Sequence, residues 1–235
     1  MSSKSSGIQV RNLSYSYPDG KQALDGVNLE VAAHSRLVLA GPNGSGKSTL
    51  LLHLNGLLDG PGEIRIAGLS RSRRNMGKIR KIIGYLFSQV EYQFIMPDLL
   101  NDVMLSVPDD VSGINDRMDL AMGWLMKLGL EEYAGRSPLE LSSGEMKRAA
   151  LAGILAGEPE VILMDEPLNN LDRASSMQLM DILNSLDQTM VIATHRRLLA
   201  ERCATHLAFM KKGRIEEVLE AKEALSHPVS EEILF

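Results

Sequence analysis

The stretch RLVLAGPNGSGKST, residues 36–49, limits what this chain can fold into more than any other segment. Its first half is a continuous apolar run, as in a strand buried on both faces. Its second half fits G-x-x-x-x-G-K-[ST] through Gly41, Gly46, Lys47 and Ser48. A helical pattern follows, to about Leu57. Glycines let backbone N–H groups turn inward around a phosphate, because no Cβ blocks the approach. The next helix aims its positive end at the same anion. A Gly-rich turn before a helix is the plainer reading, but strand, loop and helix together are the context a nucleotide cradle requires. Asn43, Gly44, Ser45, Gly46 and Thr49 then line the cradle. Lys47 neutralises the β- and γ-phosphates, and Ser48 ligates Mg²⁺.

The rest of the chain repeats this grammar. EVILMDEP (160–167), TMVIATH (189–195) and HLAFMKKG (206–213) are further apolar runs. Helical patterns lie between them, at residues 115–128, 144–157 and 173–186. Strands alternating with helices predict an α/β fold, a P-loop NTPase with a doubly wound, mainly parallel sheet. IQVRNLSYSY, VNLEVA and EIRIAG are short, alternating and bounded by turn residues, which predicts an added antiparallel β layer. Residues 89–157 show little strand signal, so an inserted helical subdomain is expected there. The expected organisation is a single domain over 1–235. Residues 1–88 and 158–235 form its nucleotide-binding core, and 89–157 its helical subdomain.

Two strand ends carry chemistry. Asp165 and Glu166 follow VILM. In P-loop NTPases an Asp at such a position holds the Mg²⁺ shell, and Glu166 beside it can orient or polarise the attacking water. Taken alone, Asp-Glu-Pro is as well read as a turn with Asp165 as a helix cap. Lys47 tips the choice. His195 ends the next apolar run, where a histidine can donate to a γ-phosphate. In LSSGEMKR (141–148), Ser142 and Glu145 have capping-box spacing. That segment reads as plain architecture or as a device for holding a phosphate.

Composition excludes several classes. The net charge of −5 gives no basic excess for nucleic acid. The single cysteine, Cys203, forms no intrachain disulfide, which fits a reducing compartment. No apolar run approaches a membrane span, and the first ten residues lack a signal-peptide core. The expectation is a cytosolic chain that reaches a membrane only through a partner. Six cations between Arg71 and Lys81 read as a solvated helical face, or alternatively as a contact with lipid headgroups or a partner. The thirteen methionines read as core filler. The histidines show no chelating spacing, so a metal cargo would not bind here directly.

From Ile8 to about Glu217 the chain resembles the ATP-binding cassette (ABC) ATPase family. GPNGSGKST resembles its Walker A segment and VILMDEP its Walker B, with Glu166 as the catalytic carboxylate. FSQ (87–89) resembles the Q-loop, in which Gln89 senses Mg²⁺ and the transport partner. LSSGE resembles the signature LSGGQ, NNLD (169–172) the D-loop, and ATH (193–195) the switch-histidine segment. Tyr17 sits where the family stacks an aromatic on adenine. The resemblance implies ATP and Mg²⁺ as cofactors, with Ser48, Gln89 and Asp165 around the metal. It implies Glu166, His195, Lys47 and Gln89 as the catalytic set. It also implies a dimer in which Ser142, Ser143 and Gly144 close over the ATP of a second ABC ATPase subunit, the same or related.

Within the family, FSQVEYQFIMP resembles the ATPases of energy-coupling-factor (ECF) importers, and the flow of the later motifs resembles their cobalt/nickel branch. Such a subunit would lie on the cytoplasmic face of the membrane. It would drive uptake of cobalt, nickel or a vitamin such as biotin, through integral membrane subunits docked near Gln89 and the helical subdomain. The alternative is a non-transport ABC ATPase of DNA repair or translation. The net charge of −5, the single cassette and the absence of a heptad run between Lys47 and Leu141 speak against it. Four positions depart from the family pattern. Ser143 replaces a glycine, which is unfavourable if φ must be positive there. Glu145 replaces a glutamine, placing a charge that would repel a γ-phosphate by about 1–3 kcal/mol unless the cap holds it back. Asn101 stands beside Asp102 where Glu-Asp is usual, and Arg196 follows His195 where Asp is common.

Overall fold

The computed structural model describes residues 6–227. In chain order these form β1 (Ser6–Ser16), β2 (Gln22–Ala32), β3 (Arg36–Ala40), α1 (Lys47–Leu54), β4 (Glu63–Ile66), β5 (Leu69–Ser70), α2 (Met76–Ile82) and β6 (Ile83–Leu86). Then come α3 (Leu99–Met104), α4 (Ile114–Lys127), α5 (Ser143–Ala156), β7 (Val161–Asp165), α6 (Arg173–Asn184), β8 (Thr189–Thr194), α7 (Arg197–Cys203), β9 (His206–Lys211), β10 (Arg214–Glu220) and α8 (Ala221–Ser226).

A six-stranded sheet runs in the order β10-β9-β3-β8-β7-β6. All its pairings are parallel except β9 with β10. A second sheet, β2-β1-β4-β5, is antiparallel. The apolar runs are explained by what lies on each face of the large sheet. In β3, Leu37 and Leu39 join the core beneath the antiparallel sheet, while Val38 and Ala40 join the core beneath the helices. Val161 and Leu163 alternate with Ile162 and Met164 in β7, as Val191 and Ala193 do with Met190 and Ile192 in β8. Side chains alternate along a strand, so burial on both faces needs apolar residues at every position.

Between Leu86 and Val161 the structure has no strand. Helices α3, α4 and α5 pack together there, and their buried residues continue the helix-side core. The cationic run departs from the reading as a single solvated face. Only its C-terminal part is helical, in α2. Arg71 turns inward and donates to the carbonyls of His53 and Leu58, at 3.0 and 2.9 Å. Arg73, Arg74, Lys78, Arg80 and Lys81 remain exposed. Strand β10 has no counterpart among the predicted strands: it is an exposed edge with almost no buried face.

Candidate active site

The cradle forms where β3 ends and α1 begins, at the C-terminal ends of the parallel strands. Gly44 and Gly46 have φ of 78° and 108°, which only glycine adopts freely. A Cβ on Gly46 would lie 2.5 Å from the Ala23 carbonyl. The buried Lys47 curls over the loop and donates to the carbonyls of Gly41 (2.7 Å) and Pro42 (3.1 Å). Burial lowers its pKa, against the attraction of Glu166 and Asp165. Burial likewise raises the Asp165 carboxyl, while the Ser48 hydroxyl hydrogen-bonds to it and pulls it down. Ser48 is exposed at the start of α1. An inward-turned loop, a cation across it and a Ser–Asp pair at its edge are a donor set that fits a phosphate with a hard divalent cation.

Glu166 is held from several sides. Its φ of 46° lies in the left-handed region, a strain of about 1–3 kcal/mol that its neighbours must sustain. Its N–H donates to the Ala193 carbonyl at 2.8 Å. Its carboxylate accepts from Thr194 Oγ1 at 3.1 Å and lies 2.8 Å from His195 Nδ1. The carboxylate fixes the proton of that imidazole on Nδ1. Lys47 and Ser48 at the start of α1 thus lie beside Asp165, Glu166 and His195, which follow the ends of β7 and β8.

Tyr17 joins the same region. Its hydroxyl lies 3.0 Å from Thr49 Oγ1, and its ring packs edge-on against Tyr15. Asn43 and Gly44 are exposed at the loop tip. Gln89 is also exposed, and no hydrogen bond ties its side chain to Ser48 or Asp165 among the described residues. The loop that carries it is braced by two other side chains. Gln93 accepts from the Phe87 N–H (2.8 Å) and donates to the Tyr85 carbonyl (3.1 Å). Asp102 accepts from the N–H groups of Ile95 and Met96, at 2.7 and 2.9 Å.

The LSSGE segment is a complete capping box. Ser142 N–H and Oγ–H donate to Glu145 Oε2 at 2.9 and 2.6 Å, and Glu145 N–H returns a bond to Ser142 Oγ. Hydrogen bonds from the Ser142 side chain and then from Tyr133 hold the Glu145 carboxyl down to about 2. Ser143 does not have positive φ, so its substitution for glycine causes no backbone strain. Gly144 is required for close packing: a Cβ there would lie 2.6 Å from Ser175 Oγ on α6. Ser142 and Ser143 are exposed, and no hydrogen bond joins 142–144 to the cradle at 41–49 among the described residues.

Sequence reasoning missed Lys147. It is buried, and donates to the carbonyls of Ser88 (3.2 Å) and Glu166 (3.3 Å). Burial lowers its amine to about 8, although Glu91, Asp165 and Glu166 all favour its charged form. A signal was present: Lys147 is four and eight residues before Leu151 and Leu155, on the face of α5 that enters the core.

Known proteins share this arrangement. The family model described as ABC transporter matches residues 24–169. A Streptomyces avermitilis protein, provisionally named an ABC transporter ATP-binding protein, is 43% identical over 192 residues, covering 80% of this chain and 72% of the relative. The energy-coupling factor transporter ATP-binding protein EcfA2 of Methanospirillum hungatei is 38% identical, over 93% of this chain and 56% of the relative. Among solved structures, cbiO1 of Clostridium perfringens, part of the transporter complex cbiONQ, superposes with a TM-score of 0.84. It is 29% identical and covers 95% of this chain and 92% of that one.

Proposed function

This chain belongs to the ABC transporter family and is an ATPase of that family, and from that premise we propose that it dimerises around MgATP and powers an ECF-type importer. The observation that carries this reading is the division of one site over two surfaces. Lys47, Ser48, Asp165, Glu166 and His195 form one wall, and we take the capped N-terminus of α5, where Ser142 and Ser143 are exposed and no hydrogen bond joins 142–144 to the cradle among the described residues, as the other. A second subunit brings its α5 over the open side of the γ-phosphate. The N–H groups of Ser143 and Gly144 and the positive end of the helix dipole then meet the transferring charge, with Ser142 held in place by its bonds to Glu145.

Ser48 and Asp165, joined by Gln89, would hold Mg²⁺, which would supply neutralisation of the charge on the phosphate oxygens. Lys47 leaves the loop carbonyls to bind the β- and γ-phosphates. Glu166 orients the attacking water and accepts its proton. Hydrogen bonds from Thr194 and His195 keep the carboxylate aimed, and the second ring nitrogen of His195 donates to the γ-phosphate when the imidazole carries both protons. Tyr17 stacks on adenine.

The importer reading draws on the relatives named for energy coupling and on exposed apolar side chains beside Gln89. Tyr92 and Ile95 are 79% and 80% exposed, which suits burial against an integral membrane subunit. No helix among the described residues is long and apolar enough to cross a membrane; in this reading the chain attaches peripherally, through that subunit on the cytoplasmic face. The cargo is a small solute, cobalt or nickel ion or a vitamin such as biotin, recognised by other subunits.

The test is Glu166→Gln. The variant should bind MgATP with wild-type affinity, lose hydrolysis by at least about a hundredfold and accumulate as an ATP-bound dimer on gel filtration. Wild-type turnover in that variant would remove Glu166 from the chemistry. Failure of the wild-type chain to co-purify with any integral membrane protein from its native membranes would count against the importer.

A further inference from the structure

Lys147 joins three parts of the molecule that the proposed mechanism must move together. It lies in the second turn of α5, with its stem along the core and its ammonium between two loops. One hydrogen bond goes to the carbonyl of Ser88, the residue before Gln89. The other goes to the carbonyl of Glu166 itself. The helix that carries Lys147 begins with Ser142, Ser143 and Gly144. Sequestering an ammonium is costlier than burying an apolar side chain of the same length. An apolar residue here would serve packing as well, but it would leave both carbonyls without this donor and the three segments free to shift against one another.

We propose that Lys147 is a positioning residue that couples the two ATP sites of the dimer. By holding Glu166 and the Gln89 loop in fixed relation to the N-terminus of α5, it makes two events one movement. When α5 closes on the partner subunit's nucleotide, Glu166 of the same chain is drawn into line with its own. The left-handed backbone of Glu166 suits this role, because such a conformation persists only while its neighbours hold it. The inference rests on the dimer reading above.

Lys147→Met in the full-length chain tests it. The kcat for MgATP should fall about tenfold with KM within about twofold and an unchanged thermal midpoint, the split expected for lost alignment and not lost binding. In the Glu166→Gln background, the MgATP-trapped dimer should dissociate about tenfold faster when Lys147→Met is added. Wild-type kcat in Lys147→Met would overturn the proposal. So would a reduced kcat with an unchanged dimer lifetime, which would make Lys147 a brace for Glu166 alone. If Glu166→Gln by itself forms no dimer with MgATP, the dimer reading fails and the coupling with it. Should Lys147→Met not fold, Lys147→Gln, whose uncharged amide sits on a shorter stem, is scored the same way.

Discussion

Tyr17 and Glu145 each make a structural bond and each bears on ATP, Tyr17 by a proposed stacking contact and Glu145 by its charge, and single substitutions separate the two. Tyr17 hydrogen-bonds to Thr49 in the first turn of α1. Tyr17→Phe removes that bond but keeps the ring, and Tyr17→Ala removes both. If the ring stacks on adenine, alanine should raise the KM for ATP by about three- to tenfold and phenylalanine by less than about twofold. Equal effects would assign the loss to the Thr49 bond. Glu145 is folded back onto Ser142, so its charge is held by the cap, and Glu145→Gln should change turnover by less than about twofold. A rise of tenfold or more would mean that the carboxylate still repels the incoming phosphate. The same substitution has a pH signature. The folded pKa, about 2, is below the ordinary 4.5, so the charge stabilises the fold fully above about pH 4.5 and ceases to do so as pH falls towards 2. Glu145→Gln should cost about 1 kcal/mol or less at neutral pH, because the pair is largely screened by solvent. The deficit should shrink in melting curves taken from about pH 7 down to about pH 3.5.

At the scale of elements, the approach of β6 to α5 at Gly84 is an exacting contact. A Cβ on Gly84 would collide with Ile154 Cγ2, a β-branched atom with little freedom to move. Gly84→Ala should therefore destabilise the fold by about 1–3 kcal/mol, read from denaturant midpoints, while KM for ATP stays unchanged. No such contact is legible in the sequence, where Gly84 is one more residue in an apolar run. The elements that were legible are those whose signal is local. The P-loop is contiguous, both-face burial makes β3, β7 and β8 continuously apolar, and the capping box lies within four residues. Lys147, the left-handed Glu166 and the Thr194 bond depend on segments far apart in the chain. Arg71 was misread for a related reason. The carbonyls of His53, near the end of α1, and of Leu58, in the loop after it, both face Arg71, and a guanidinium from a charge run donates to them. Strand β10 escaped notice because an exposed edge strand needs no apolar alternation.

At the scale of the whole molecule, a cleft among the described residues suits the proposed partner. It holds about 720 Å³ between β6 and the helical region, with Arg80, Gln93, Phe94, Asp102, Leu105 and Asp110 among its lining. Leu105 is 48% exposed there, although it lies directly after α3 and could have turned into the core as Val103 does. The cleft also shares Gln93 and Asp102 with the braces of the Gln89 loop. A helix of an integral membrane subunit seated in it would press on the segment that brings Gln89 to the nucleotide, so docking and hydrolysis would be mechanically joined. Leu105→Asp separates docking from chemistry. A carboxylate in a buried helix–groove contact costs several kcal/mol unless it is paired. The variant should therefore lose co-purification with the membrane subunits. In isolation it should keep its fold and basal ATPase rate, because Leu105 touches neither the cradle nor Glu166. Retained co-purification, measured beside wild type in the same membranes, would move the docking surface away from this cleft.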